Sequence, residues 1–400
     1  MTTPSRVKVA AIQLTSSDDA AANMANARRL LEQAAQAGAK IALLPENVAL
    51  MGRREADKFA IAEDEGSGPL QQALADAARE CGLWIVGGTL PIKRVGESRV
   101  AAAVLVFDES GKQVARYDKM HLFDVSVAER GETYRESASI APGAAPVVVD
   151  TPAGPLGLSV CYDLRFPELF RSLTAAGARW FVVPAAFTVP TGRAHWETLL
   201  RARAIENLAF VVAAGQTGLH PNGRETWGDS MIIDHWGAIQ SRLPHGEGVV
   251  VAEFDLEAQA RVRHVSRLFI AAAHLRVPFF SVVLRKGYGL GAMAMAAGGF
   301  HDAFFTASWP TGEFGGMGLE GAVRLGYRNE LAAIADPDER ERTFQTMVDR
   351  MYEHGKAVNV ASHFEIDDVI DPAETRHWLT TLLDSTPDPP TGHRPQVDTW

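Results

Sequence analysis

Four side chains in the first half of the chain could together run a nucleophilic hydrolysis: Glu46, Lys119, Glu136 and Cys161. Cys161 lies in Leu158-Ser159-Val160-Cys161-Tyr162-Asp163-Leu164-Arg165-Phe166-Pro167-Glu168, where an apolar run turns sharply and Pro167 suits a helix start. A thiol on such a turn stands above its sheet beside free backbone N–H groups, which would lower its pKa and offer donors to an oxyanion. Glu46 closes the apolar run Ala42-Leu43-Leu44-Pro45, so its carboxyl is expected to lose water and rise in pKa toward a general base. Lys119, in Tyr117-Asp118-Lys119-Met120-His121-Leu122-Phe123, follows a strand and could set a cation against a tetrahedral oxygen. Glu136 follows in the loop Tyr134-Arg135-Glu136-Ser137, with Glu129 as a competitor. Taken singly, each has a plainer reading: a core cysteine, a helix cap, a solvated lysine, an ion pair with Arg135.

These residues need rigid elements behind them, and strand and helix signals alternate from the start. Val7–Leu14, Ile41–Pro45, Leu83–Leu90 and Val100–Phe107 read as strands, with helices over Asn23–Ala37 and Leu70–Cys81 between them. The series continues through strands at Val147–Asp150, Pro155–Val160, Trp180–Pro184, Phe210–Ala214, Met231–Asp234 and Val249–Phe254. Helices are expected over Pro167–Ala176 and His195–Asn207. Such alternation predicts an α/β domain whose sheets are covered by helices. Near Arg263 the pattern changes to a Gly- and Met-rich stretch (Gly287–Gly299), a turn-rich stretch (Trp309–Gly318) and helices over Pro337–Tyr352 and Asp371–Leu383.

Composition narrows the setting. At 400 residues the chain exceeds one ordinary core, and 46% apolar with 22% charged residues is a globular balance. A formal net charge of −10 argues against nucleic acid or an anionic membrane as partner. The two cysteines, Cys81 and Cys161, make no disulfide framework, and no apolar signal core or bilayer-length run is visible; a cytoplasmic protein is expected. His121, His195 and His220 suggest no convincing Cys–His pairing, and His195-Trp196-Glu197 lacks the further ligands of a zinc site.

Together the Glu, Lys and Cys segments, in that chain order, resemble the nitrilase superfamily of carbon–nitrogen hydrolases over roughly residues 6–262. The likeness extends through Pro184-Ala185-Ala186-Phe187-Thr188, Gly192-Arg193-Ala194-His195-Trp196-Glu197, Gly215-Gln216 and Gly228-Asp229-Ser230. The Cys161–Glu168 run with Ala194–Glu197 is similar to the branch of deaminated glutathione amidases and ω-amidases. The resemblance implies a four-layer αββα sandwich that usually dimerises, and hydrolysis of a small ω-amide to carboxylate and ammonia with no cofactor and no metal. It implies Cys161 as nucleophile, Glu46 as proton shuttle, Lys119 with the Tyr162 N–H as oxyanion donors, and Glu136 as a supporting glutamate. Asp163 and Arg165 would make a structural or substrate-carboxylate contact. A nitrile or N-carbamoyl hydrolase is the rival within that chemistry.

From about His264 the chain resembles the carboxyltransferase β subunits of acyl-CoA carboxylases, through Leu275-Arg276-Val277-Pro278, Val283–Ala292, Trp309-Pro310, Gly315-Gly316-Met317 and Ile370–Arg376. Only the end of a crotonase-like domain is matched. The expected organisation is therefore a hydrolase domain (1–262), a partial crotonase-like α/β segment (263–385) and a frayed Pro-rich tail (386–400). Glycines 287, 289 and 291 would suit close backbone approach. A half-domain should leave apolar surface such as Val277–Leu284 uncovered and puts the usual homodimer in doubt. An inactive hydrolase body serving as a carboxylase-assembly or CoA-ester module is the reading from a different class.

Overall fold

The computed structural model describes residues 6–127, 132–273, 275 and 277–386. They form two compact units, one ending at Ala260 and the other beginning at Arg261, with the division inside helix Leu256–Ala273. Glu129, Arg276 and the tail from residue 387 lie outside the described residues. Among the described residues no helix is long and apolar enough to cross a membrane.

The first unit is built on two sheets. One orders Gly248–Asp255, Arg6–Gln13, Ile41–Leu43, Trp84–Val86, Val100–Phe107 and Leu90–Lys93, with Gln113–Asp118 also paired to Val100–Phe107. The other orders Ile239–Leu243, Ser230–Ile233, Phe210–Gly215, Trp180–Ala185, Leu156–Leu158 and Val148–Val149. Val100–Phe107 is buried at every position, as a strand covered on both faces must be. Side chains alternate across the first sheet. Val7, Val9, Leu43 and Val106 meet Leu156, Leu158 and Phe254 between the sheets. Ala10, Ile12, Ile85 and Leu105 pack outward on Leu30, Leu31, Leu74 and Ala78 of helices Ala20–Gln36 and Pro69–Cys81. Helices Pro167–Ala175 and Val189–Asn207 cover the second sheet through Phe170, Leu173, Trp196 and Leu200, with Phe170 edge-on to Phe181 at 5.1 Å. The result is the four-layer αββα sandwich.

Two elements differ from the sequence reading. The Leu83–Leu90 run is two strands, Trp84–Val86 and Leu90–Lys93, because the chain breaks at Gly87-Gly88. Gly88 has φ 63°, and a Cβ there would collide with the Pro45 carbonyl, so this break admits the loop that carries Glu46. The helix expected from His195 begins at Val189: Pro190 sits in its first turn, where its missing N–H costs nothing.

In the second unit, Phe280–Val283, Phe305–Ser308 and Asp368–Val369 make a three-stranded parallel sheet, and Lys286–Tyr288 pairs in parallel with Glu313–Gly315. Its interior is two small clusters, Val323 with Leu331, Phe344 and Val348, and Phe314 with Ala357 and Ile366. Val277 and Leu284 are 66% and 51% exposed. Of the three glycines, Gly289 needs its positive φ and approaches the Gly316 carbonyl, whereas Gly291 faces open space, so the expectation of close approach fails there. The helix expected over Asp371–Leu383 is a short 3-10 turn, Pro372–Glu374, followed by helix Thr375–Asp384.

Candidate active site

The parallel strands Ile41–Leu43, Leu156–Leu158 and Trp180–Ala185 end near one another, and the chain just beyond each end supplies the site: Glu46, Cys161 and Ala186. Glu46 is buried, with one oxygen accepting from Lys119 Nζ at 2.8 Å and the other from the Ala186 N–H at 2.8 Å. Its own carbonyl accepts from Gln216 Nε2 at 2.9 Å, and the next N–H, of Asn47, donates to Thr89 Oγ1 at 2.8 Å. Lys119 is 1% exposed. Its backbone is clamped by bonds to Ala102 O (3.0 Å) and from Gly143 N (2.8 Å), which fix the base of the side chain. Glu136 takes that ammonium with both oxygens, at 2.9 and 2.8 Å, and is itself fixed by the Phe123 N–H at 2.7 Å.

Cys161 opens a 3-10 turn, Cys161–Arg165, between strand and helix, with the left-handed φ of 48° that a side chain adopts only under constraint. The constraint is Asp163, which is wholly buried. It accepts from the Val160 N–H (2.8 Å), the Tyr117 hydroxyl (2.7 Å) and the His121 N–H (3.0 Å), and lies 2.7 Å from His121 Nδ1. One carboxylate thus ties the cysteine turn to the segment that carries Lys119. Asp163 is a structural tie and makes no bond to Arg165. The Arg165 guanidinium lies over the Tyr162 and Phe187 rings, at 5.9 and 6.0 Å, with His195 Nδ1 3.3 Å away. Tyr162 packs edge-on against Phe123 and Phe166, and its N–H, in the first turn of a 3-10 helix, has no carbonyl within the helix to reach.

The electrostatics reverse two expectations. Burial pushes the Glu46 carboxyl up, but the Lys119 ammonium and the hydrogen bonds from Lys119 and Cys161 outweigh it, holding Glu46 below its ordinary value. Burial and the neighbouring Glu46 carboxylate push the Cys161 thiol well above its ordinary value, against the pull of Lys119. Two carboxylates already face one ammonium, so a thiolate would be a third anion in a space shut from water. Burial works against the Lys119 charge, yet Glu136, Glu46 and Cys161 keep it protonated far into alkali. The resting set is therefore a neutral thiol beside an ionised carboxylate.

Glu46, Lys119, Glu136, Cys161, Tyr162 and Arg165 all border one chamber of about 50 Å³. His121, His195 and His220 do not. His121 serves Asp163, and His220 sits between the Ser16 carbonyl and Thr226 Oγ1, both at 2.8 Å. Cys81 ends helix Pro69–Cys81, half-buried. Sequence reasoning missed Arg224, Glu55, Lys58 and Thr191 on the same chamber wall. Arg224 comes from the hairpin turn Pro221-Asn222-Gly223-Arg224; Asn-Gly signals the turn, but nothing local signals that its arginine folds back over the chamber.

The family model for carbon-nitrogen hydrolases matches residues 8–264, and that for the carboxyl transferase domain matches residues 255–389. A deaminated glutathione amidase from Yersinia enterocolitica is 42% identical over 257 residues, 64% of this chain and 89% of that protein. The solved NitFhit protein of C. elegans superposes with a TM-score of 0.61 at 35% identity, over 68% of this chain and 65% of its own. An amidase from Nesterenkonia sp. AN1, solved as a mutant showing Michael addition of acrylamide at the active site cysteine, has a TM-score of 0.53. It is 25% identical, over 65% of this chain and 99% of its own. With well over half of its length inside the hydrolase match, the chain belongs to the carbon-nitrogen hydrolase family, and within the nitrilase superfamily it is an amidase.

Proposed function

We propose that this amidase opens a small ω-amide of the deaminated-glutathione kind, with Cys161 as nucleophile, Glu46 as proton carrier and Lys119 as the fixed positive charge. The observation that carries it is the buried ammonium of Lys119 held between Glu46 and Glu136, on the wall of the chamber that Cys161 also borders. An amide is a poor electrophile with a poor leaving group, so it needs both a nucleophile and a proton donor to nitrogen. Because the thiol rests neutral, its sulfur attacks the amide carbon as its proton passes to Glu46. The tetrahedral oxyanion is met by the Lys119 charge and the Tyr162 N–H. Glu46 then protonates the departing nitrogen as the C–N bond breaks, leaving a thioester on Cys161. Water attacks the thioester, yields a proton to Glu46, and releases the carboxylic acid as that proton returns to sulfur. Glu136 shares one ammonium proton between its two oxygens and Glu46 takes a second, leaving the third for the oxyanion. Arg165, on the aromatic wall, accepts a carboxylate of the acyl part. The test is rapid quenching of the enzyme with glutaramate followed by intact-mass measurement. A glutaryl increment on Cys161 that appears with ammonia release and decays as glutarate is released is expected, and ammonia release without any covalent increment would sink the thioester route.

A further inference from the structure

The reaction chamber adjoins a larger one. Asn47, Glu55, Lys58, Tyr134 and Arg224 border both, and the outer space is about 420 Å³ against about 50 Å³ inside. The inner chamber suits an amide and its immediate carbons, whereas the outer one falls within the usual size of a small-molecule site. We propose that Arg224 reads a carboxylate on an arm of the substrate that extends from the reacting amide into the outer chamber, making it a specificity-determining residue distinct from Arg165.

The charges on this wall single it out. Arg53 is bonded to Asp18 at 2.7 Å, Arg54 to Asp57 at 3.3 Å, and Lys58 to Glu55 at 2.7 Å. Arg224 instead bonds the Ala186 carbonyl and lies over the Tyr134 ring at 5.0 Å. Its Nε is shut from solvent and has no hydrogen-bond partner among the described residues. A buried guanidinium N–H left unmatched is costly, and a substrate carboxylate would satisfy it in the forked geometry that guanidinium favours. The side chain also starts from a rigid base. The Arg224 N–H donates to Asn222 Oδ1 (2.9 Å), its carbonyl accepts from the His220 N–H (2.9 Å), and Asn222 Nδ2 donates to Gly52 O (3.0 Å). A cation held in place before the ligand arrives spends little of its binding energy on ordering.

This inference rests on the amidase reading above, and the experiment keeps the two apart. Glutaryl-glycine and its two monomethyl esters are assayed on the full chain as wild type, Arg224→Gln and Arg224→Lys. The wild type should turn over the diacid with a kcat/KM on the order of 10- to 100-fold above each ester, the usual worth of a charge-assisted hydrogen bond. Arg224→Gln should erase most of the penalty for one ester, through KM, and keep the penalty for the other; Arg224→Lys should fall between. An Arg224→Gln enzyme that keeps both penalties overturns the inference. So does a wild type that hydrolyses all three compounds equally, a result that needs no variant to fold. A wild type that hydrolyses none of them while also failing on glutaramate overturns the amidase reading first, and the inference with it.

Discussion

Both units of this chain contain parallel strands, within mixed sheets in the first and a wholly parallel sheet in the second, yet only one closes its layers. In the first, two sheets bury a shared interior and helices seal their outer faces, so that Val9, Ala10, Ile12 and Phe181 are wholly shielded from water. In the second, a three-stranded parallel sheet has only small clusters beside it, and Val277, Leu284, Leu325 and Phe364 stand in solvent. Parallel strands ordinarily need cover on both faces. The same contrast separates the chemistry. Glu46, Lys119 and Glu136 of the hydrolase site are each held by at least two hydrogen bonds, while the Gly289 turn borders an open hollow of about 1020 Å³ lined by Met293, Met317, Met347 and Met351. A motif becomes a site only where the surrounding packing leaves its side chains no alternative.

The strongest way to break this contrast is to remove the nucleophile. Cys161→Ala should lower kcat/KM for glutaramate by on the order of 10⁴-fold or more, as losing the covalent group does in other nucleophilic hydrolases. Its unfolding midpoint should stay near wild type, because the thiol supplies chemistry and little packing. Residual turnover within tenfold of wild type would mean that hydrolysis does not run through the first unit's site.

Core truncations sharpen the same comparison. Phe181 is fully buried between its sheet and Phe170, so Phe181→Ala should cost about 3–5 kcal/mol and shift the main denaturant transition. Phe344 belongs to a cluster of four buried residues, and Phe344→Ala should cost about 3 kcal/mol, the low end for a buried phenylalanine, in a separate transition that leaves amide hydrolysis in place. A single transition shifted equally by both variants would show that the two units unfold as one.

How much of this was legible in the sequence follows from what was local. The turn at Cys161 and the carboxylate at Glu46 were readable because each ends an apolar run, and the order of Glu, Lys and Cys carried the family. The signs of two pKa shifts were not. A helix start and a buried strand end suggested a low thiol pKa and a high carboxyl pKa, but the thiol is raised by its burial and by Glu46, and the carboxyl is lowered by Lys119, neighbours that only the fold brings together. Arg224 was invisible for the same reason: its partners, Ala186 and Tyr134, are remote along the chain. Glu136 came from the family resemblance, and the bonds that give it a role, to Lys119 and Phe123, are visible only in the fold.

Acidity offers a graded test of the first unit's electrostatics. Glu46 must be ionised to take the thiol proton, and its folded value lies below the ordinary 4.5. The rate should therefore hold down to that value and fall tenfold per pH unit only beneath it, whereas the stability that the ionised form contributes is lost earlier, as pH falls from the ordinary 4.5 through the folded value. Lys119 is raised above its ordinary 10.5 and the thiol above its ordinary 9.0, so neither titrates between the acid limb and pH 9. A kcat/KM profile that climbs between pH 7 and 9 would show instead that a free thiolate does the work.

The smallest effect is expected on the second unit's surface, and it is the one that isolates the contrast. Leu325 is 68% exposed at the end of helix Leu319–Gly326, so replacing it with serine removes apolar area that already faces water. The hydrophobic contribution lost on folding should be close to nil, within about 0.5 kcal/mol. What changes is the reference for association: less exposed apolar surface means a weaker drive to self-associate. Leu325→Ser should therefore raise solubility in a concentration series while hydrolysis stays within about twofold of wild type, since a surface change of this kind leaves the Glu46–Lys119–Cys161 geometry untouched. If hydrolysis instead moved with Leu325, the exposed apolar surface of the second unit would be part of how the first unit works, and the two could no longer be treated as a complete domain followed by an incomplete one.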